Sequence, residues 1–420
     1  MFIARALLGL AVFILLAWAM SSHKRRFPWR VVGVGLALQI TLGALILKTA
    51  WGFAVFQAIS DGFVKMLDFS TAGARMVFGE LAISETDEGT PTEVGFVFAF
   101  AGSGLAAIIF FSALLALLYH LGVMQAIVWV LARAMSWLMR VSGAESLAMA
   151  ANIFAGQTEA PLAVRPYLSK MTNSELNALM TGGFATIAGS VLAVYIFQIG
   201  EQYATHLITA SVMSAPAAFL VAKVMLPETE SSETAGHVPF KVERRASNFL
   251  EAIAIGTQEG LKLWLNVLAM LIAFVALVAM IDYPLGALGN AMGIELSLAT
   301  VFGWALAPLA WVIGVESWND CQRLGSLLGT KIAVNEFIAF IQLAEGEGEY
   351  LGFESKRSAI LAGYALCGFA NFSSIGIQIG GISALVPERR ADLARLALRA
   401  MLGGAFASWM TATVAGMFIR

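Results

Sequence analysis

The chain has 420 residues, of which 59% are hydrophobic and 13% charged, with a formal net charge of -2. An average soluble domain carries about 25% charged residues, so this composition excludes an ordinary water-soluble fold, and no basic cluster is dense enough for a nucleic-acid footprint. Cys321 and Cys367 lie in or beside apolar runs without metal-ligand spacing, which argues against a disulfide framework or a zinc site.

In chain order, Phe2 to Met20 is apolar, but Lys24, Arg25, Arg26 and Arg30 follow the stretch instead of preceding it. It therefore reads as a retained span, not a cleaved signal. Runs near the roughly 20 apolar residues that a bilayer core requires fall at 3–20, 31–50, 94–118, 174–200, 204–225, 260–281, 357–385 and 392–418, predicting eight crossings. The loops 21–30, 223–245 and 386–399 each contain four Lys or Arg. By the positive-inside rule they face the cytoplasm, with both termini periplasmic in an inner membrane. The other side is acidic, with Asp61, Asp68, Glu80, Glu85, Asp87, Glu88 and Glu93 in one segment and Glu345, Glu347 and Glu349 in another.

Three stretches do not suit ordinary spans. Residues 122–141 place Arg133 and Arg140 among Trp129, Leu131, Trp137 and Leu138, the pattern of an amphipathic interfacial helix. Residues 144–168 and 320–345 each read as a short apolar helix, a polar tip and a second short helix. The tips are Gly156, Gln157, Thr158 and Glu159 in one and Asn335 and Glu336 in the other. Such re-entrant hairpins are tolerated only where protein or a watery cavity surrounds them. The run Glu228 to His237 is most simply a solvated loop.

Residues 94–225 and 260–418 repeat one order: span, interfacial helix, hairpin with a Glu at its tip, span broken by small polar residues, final span. Identities are sparse; Trp137, Leu138 and Met139 before Glu145 and Ser146 loosely echo Trp311, Val312 and Ile313 before Glu316 and Ser317. Three crossings per unit invert the second unit. The expected fold class is an all-α polytopic membrane protein with eight transmembrane helices, two re-entrant hairpins, interfacial helices and an inverted repeat. In such folds the solute site lies where the broken helices meet. Here the breaks are Thr186 to Ser190 and Gly368 to Ser374, with Gly376, Gly380 and Gly381 beyond.

Ionisable groups at membrane depth are costly, about 2.5–3.5 kcal/mol each, and point to a pathway or site. Glu159 and Glu336 are the tip carboxylates; the bland alternative is that each caps a helix start. Gln157, Thr158, Asn371 and Ser374 offer directional polarity without charge, which suits a neutral solute rich in hydroxyl and amide groups. Phe369 could stack on a ring, although packing is the commoner use of a Phe. Lys331 could act through its charge or merely pack its stem. Backbone carbonyls at the breaks, with Asn152 and the Thr186 hydroxyl, could enclose a small hard cation. Alternatively, Thr186 bonds back to its own turn. His23, His120, His206 and His237 sit near span ends or in loops without a nucleophilic partner in sequence.

Several motifs resemble the concentrative nucleoside transporter family. Gly156 to Leu162 (GQTEAPL) is similar to its first hairpin, and Met171 to Ser190 (MTNSELNALMTGGFATIAGS) to its next span. Gly329, Lys331, Asn335, Glu336 and Phe337 match its second hairpin signature, with Ile338 where Val is usual. Asn371 to Gly376 (NFSSIG) and Ser214 to Glu230 also agree, so the resemblance covers about 94–418. It implies a homotrimer whose protomers pair a scaffold with a mobile transport domain. On that division, residues 1–120 are scaffold spans one to three, 121–141 the interfacial helix, and 142–225 the first hairpin and broken-helix transport unit. Residues 226–296 are a cytoplasmic loop, interfacial helix and sixth span, and 297–420 the second transport unit. The resemblance further implies that Gln157, Thr158, Glu159 and Val191 line the nucleobase side, while Glu336, Phe369, Asn371 and Ser374 face the ribose. A sodium site falls on Asn152, Ala155, Thr186 and Ile187, with Ala155 and Ile187 acting through carbonyls. Gly102, Ser103 and Gly104 depart from the bulkier, Pro-containing run of the family.

The expected function is cation-coupled uptake of a nucleoside such as uridine by alternating access, with sodium as the coupling ion. Proton coupling through Glu159 or Glu336, an intramembrane enzyme using the tip carboxylates as acid and base, and a passive channel are the competing expectations.

Overall fold

The computed structural model describes residues 2–78, 105–238 and 246–419, and among them every regular element is helical. Glu80 to Glu93, the start of the expected third span and Gly102 to Gly104 lie outside the described residues. The chain opens with α1 (Phe2–Ala19), α2 (Trp29–Lys48) and α3 (Ala50–Phe78), followed by α4 (Ala107–His120) and α5 (Val123–Met139). The first hairpin is α6 (Gly143–Asn152) and a 3-10 helix (Ala160–Lys170). Next come the two halves of a broken helix, α7 (Asn173–Ala185) and α8 (Gly189–Ile199), then α9 (Ala204–Met225). The second half runs through α10 (Phe249–Met292) and α11 (Leu298–Ile313) to a hairpin of α12 (Trp318–Ala333) and α13 (Glu336–Ala344). It ends with the broken pair α14 (Lys356–Leu366) and α15 (Phe372–Leu385) and with α16 (Arg390–Phe418).

Helix starts follow the side chains able to satisfy orphan N–H groups. Ser142 and Thr172 form capping boxes with Glu145 and Glu175 at α6 and α7. Ser317, Asn335, Ser355 and Asn371 cap α12 to α15 in turn. These helices thus start inside the protein with side chains serving their first backbone N–H groups.

Five of the expected spans are helices long and apolar enough to cross a bilayer: α2, the α7–α8 pair, α9, α10 and α16. The span at 3–20 is the shorter apolar α1, and the one at 357–385 is the pair α14–α15, whose second member is also a short apolar helix. The expected interfacial helix at 122–141 is α5, bent 76° from α4; its counterpart α11 meets α12 at 110°.

Three findings differ from the sequence reading. Residues 50–78, read only as part of an acidic segment, form the helix α3. Its charges are matched along the helix, by Gln57 to Asp61 at 2.8 Å and Lys65 to Asp68 at 3.0 Å, so they do not break it. Among the described residues of 226–296 there is no separate interfacial helix: Phe249–Met292 is one 44-residue helix, and the next begins at Leu298. The run 228–237 is not merely solvated. Thr234 is buried, its carbonyl and hydroxyl accept from Gly143 and Ala144 N–H at 3.0 Å, and Ser232 donates to Glu175 at 2.6 Å. Beside this strap, Lys223 and Glu145 form a buried ion pair at 2.7 Å.

Burial divides the molecule. In α7, in α9 and in α16 from Ala400 to Gly416 nearly every side chain is buried, and α16 packs along both α7 and α9. By contrast α10 touches α4 through Gly256 and Gly260 and leaves Leu265, Ile272, Val275 and Met280 exposed. An exposed apolar helix of this length faces lipid or another protein.

Candidate functional site

The first hairpin turns where its sequence stops favouring helix. After Asn152 the chain passes through Gly156, and Pro161 opens the 3-10 arm. At the tip Gln157 is buried, Thr158 exposed and Glu159 half-buried. The Glu159 carboxylate accepts from the Gly156 N–H of the preceding turn at 3.2 Å and makes no side-chain cap bond to the 3-10 arm that it precedes.

The second tip is arranged differently. Asn335 caps α13, accepting from Ile338 N–H at 2.9 Å, which releases the adjacent Glu336 from that role. Glu336 is buried, and its two oxygens are held by separate elements: Tyr195 OH of α8 donates to one at 2.9 Å, and Asn371 Nδ2 of the second break donates to the other at 2.6 Å. Tyr195 is in turn stacked on Phe340 of α13, ring centroids 4.3 Å apart.

Both helix breaks reach these tips. Thr186 and Ala188 are extended between α7 and α8, and Gly189 N–H donates to Phe154 O of the first hairpin at 2.9 Å. In the second break Gly368 has φ +145°, and an added Cβ would lie 2.9 Å from the Phe184 carbonyl, so only glycine allows the two breaks to meet. Asn371 caps α15, accepting from Ser374 N–H at 2.7 Å. Helices α8, α13 and α15 therefore all begin at this junction, contributing the positive ends of three helix dipoles.

The hydrogen bonds join Gln157, Ser374, Asn371 and Glu336 into one chain that runs from the first hairpin through the second break to the second hairpin. Gln157 Nε2 donates to Ser374 Oγ at 3.2 Å, and Asn371 links Ser374 to Glu336. Thr158 lies against Gly381 of α15, Val191 is buried in the first turn of α8, and Phe369 is half-buried in the second break. Of the residues expected around a cation, Asn152 is buried; its Nδ2 donates to Leu179 O at 3.4 Å and its Oδ1 has no hydrogen-bond partner. Ala155 and Ile187 are also buried, in the segments that the Gly189 to Phe154 bond ties together. Thr186 donates to Gly182 O at 2.9 Å, the local bond weighed from the sequence, and this leaves its oxygen lone pairs available.

Sequence reasoning missed Tyr195 and Gln378. Tyr195 Oη and the Gln378 amide are polar atoms inside otherwise apolar runs, and a buried polar group needs a partner; that signal was available. Lys331 does more than pack its stem: fully buried, it donates to Ala365 O at 2.9 Å and Ser408 Oγ at 3.1 Å, tying α12 to the end of α14 and to α16. Cys321 and Cys367 are both buried free thiols. A cavity of about 1610 Å³ lies away from the tips among Arg26, Arg30, Arg133, Trp137 and Arg140.

Three family models match: "Na+ dependent nucleoside transporter N-terminus" over residues 8–81, "Nucleoside recognition" over 105–202 and "Na+ dependent nucleoside transporter C-terminus" over 206–416. The rat sodium/nucleoside cotransporter 1 is 43% identical over 97% of this chain, which spans 63% of the length of that protein. An uncharacterized transporter of Haemophilus influenzae is also 43% identical, over 100% of this chain and 98% of its own. Among solved structures, CNTnw in an inward-facing substrate-bound state superposes with a TM-score of 0.91 at 38% identity, covering 100% of this chain and 98% of that one. A substituted CNTnw in an outward-facing state gives 0.92 at the same identity. Broken helices and paired hairpins thus recur with the motifs that first suggested them, over the whole chain, and the protein belongs to the Na+ dependent nucleoside transporter family.

Proposed function

We propose that the chain takes up nucleosides such as uridine by sodium-coupled secondary active transport. The observation that carries this reading is the clamp on Glu336, whose two oxygens are held by Tyr195 and Asn371. A carboxylate fixed in this way at the meeting of two breaks is poised to accept from the hydroxyls of a sugar, because charge-assisted hydrogen bonds are about twice as strong as neutral ones. Asn371, Ser374 and Phe369 complete the ribose side, and Gln157, Thr158, Glu159 and Val191 the nucleobase side.

Sodium as the coupling ion is supported by Asn152, whose buried Oδ1 has no hydrogen-bond partner. Hard cations take oxygen ligands, and the Thr186 hydroxyl with the Ala155 and Ile187 carbonyls would complete the set. No group of three or more His, Cys, Asp or Glu among the described residues could hold a metal instead. Each sodium ion moving down 100 mV supplies about 2.3 kcal/mol, equivalent to roughly 50-fold accumulation of a neutral solute.

The hairpins and broken helices move as one transport domain against a scaffold that includes α10, in an inverted repeat. The exposed apolar face of α10 supports a homotrimer in an inner membrane, with the basic loops cytoplasmic and both termini periplasmic. The test is radiolabelled uridine uptake into proteoliposomes. A sodium gradient is expected to drive accumulation above the external concentration, with unmodified uridine recovered inside. Equal uptake under a proton gradient without sodium would assign the coupling to Glu159 or Glu336, and equilibration without accumulation would indicate a channel.

A further inference from the structure

Gln378 lies in the apolar helix α15, completely buried, and is not among the residues placed around nucleoside or sodium. Its Nε2 donates to the Met180 carbonyl at 3.1 Å and to Gln157 Oε1 at 3.1 Å. A backbone carbonyl can only accept, so it selects the nitrogen end of the Gln378 amide. This holds although Gln378 Oε1 is thereby left buried without a partner. The choice propagates: Gln157 must turn its oxygen to Gln378, leaving its nitrogen for Ser374 Oγ at 3.2 Å. From the other end, the Ser374 N–H can only donate, so Asn371 turns its oxygen to it at 2.7 Å and its nitrogen to Glu336 at 2.6 Å. Both amide orientations in the site are therefore dictated by backbone groups, one of them through Gln378. The room for this comes from Gly183, where an added Cβ would lie 2.6 Å from Gln378 Nε2 and 3.0 Å from Gln157 Cβ.

We infer that Gln378 is a positioning residue for base selectivity: by holding the oxygen end of the Gln157 amide, it fixes which of the two groups left on that amide, its second N–H or its second lone pair, is turned to the nucleobase. The inference rests on reading Gln157 as a nucleobase contact. After its bonds to Gln378 and Ser374, Gln157 retains one N–H and one lone pair in fixed directions. Uracil and cytosine differ there in chemistry, a carbonyl acceptor in one standing where the other has an amino donor. An amide locked in one sense matches one base and leaves a buried group unpaired against the other. An amide free to turn over serves both.

The test is equilibrium binding of uridine, cytidine and 2′-deoxyuridine to the purified full chain at saturating sodium. The wild-type protein is expected to separate uridine from cytidine by about tenfold. Gln378→Met, unbranched and without an N–H, is expected to bring that ratio to within about threefold of one, while the uridine to 2′-deoxyuridine ratio stays at its wild-type value. Gln378→Leu, which likewise lacks the N–H, is expected to shift the base ratio in the same direction and decides the matter should the Met variant not fold. In the double variant Gln157→Leu with Gln378→Met, the base ratio should equal that of Gln157→Leu alone, since both act through one amide. A wild-type ratio near one overturns the inference, as does a Gln378→Met protein that keeps the wild-type base ratio or changes both ratios in parallel. If Gln157→Leu itself leaves the base ratio untouched, the nucleobase reading of Gln157 fails at its root. If Gln157→Leu shifts the ratio and Gln378→Met does not, only the role of Gln378 falls.

Discussion

The two hairpin tips carry the same residue type at the same place in their units, yet the fold uses them differently. Glu159 stays half-buried and bonds to its own turn through the Gly156 N–H, whereas Glu336 hands capping to Asn335 and is clamped by residues from two other helices. Repetition in sequence therefore does not imply equivalent chemistry. A carboxylate becomes a rigid recognition group only where a neighbour relieves it of its local duty. The difference orders the expected effects of substitution.

Glu336→Gln should do most damage, lowering uridine uptake by about 100-fold through the loss of charge-assisted bonds, with helicity and elution volume of the purified protein unchanged. Asn371→Ala follows at about 30-fold, because it strands both the Ser374 N–H and one Glu336 oxygen. Tyr195→Phe, which deletes a single hydroxyl beside the other oxygen, should cost about tenfold in transport while preserving the stack on Phe340. Asn152→Ala should raise the sodium concentration for half-maximal uptake about tenfold and leave the rate at saturating sodium close to wild type. Glu159→Gln, whose carboxylate is half in solvent and locally bonded, should cost only about threefold. Should Glu159→Gln prove worse than Glu336→Gln in the same vesicles, the proposed asymmetry is wrong.

Much of this was legible because the breaks have local causes. Gly156, Pro161, Asn335, Gly368 and Asn371 are helix breakers or caps in themselves, and the structure interrupts its helices beside each of them. What could not be read locally were partners supplied from far along the chain. Tyr195 and Glu336 are 141 residues apart and Gln378 and Gln157 are 221 apart, so no periodicity links them. Helix α3 escaped for the opposite reason: Asp61 and Asp68 were grouped with the acids that follow them in the chain, although their partners Gln57 and Lys65 stand within one turn of the same helix. The strap at Thr234 shows the same limit, since Ser and Thr in a run look solvated until Gly143 and Ala144 are placed beside them.

On the proposed function, nucleoside and sodium bind side by side where the hairpins and the helix breaks meet. Linkage then requires each ligand to tighten the other by the same factor. Calorimetric titration of the purified protein with uridine, at sodium concentrations from none to saturating, tests this directly. The account predicts uridine affinity rising with sodium, and a rise largely lost in Asn152→Ala. An affinity for uridine that is identical with and without sodium would contradict it.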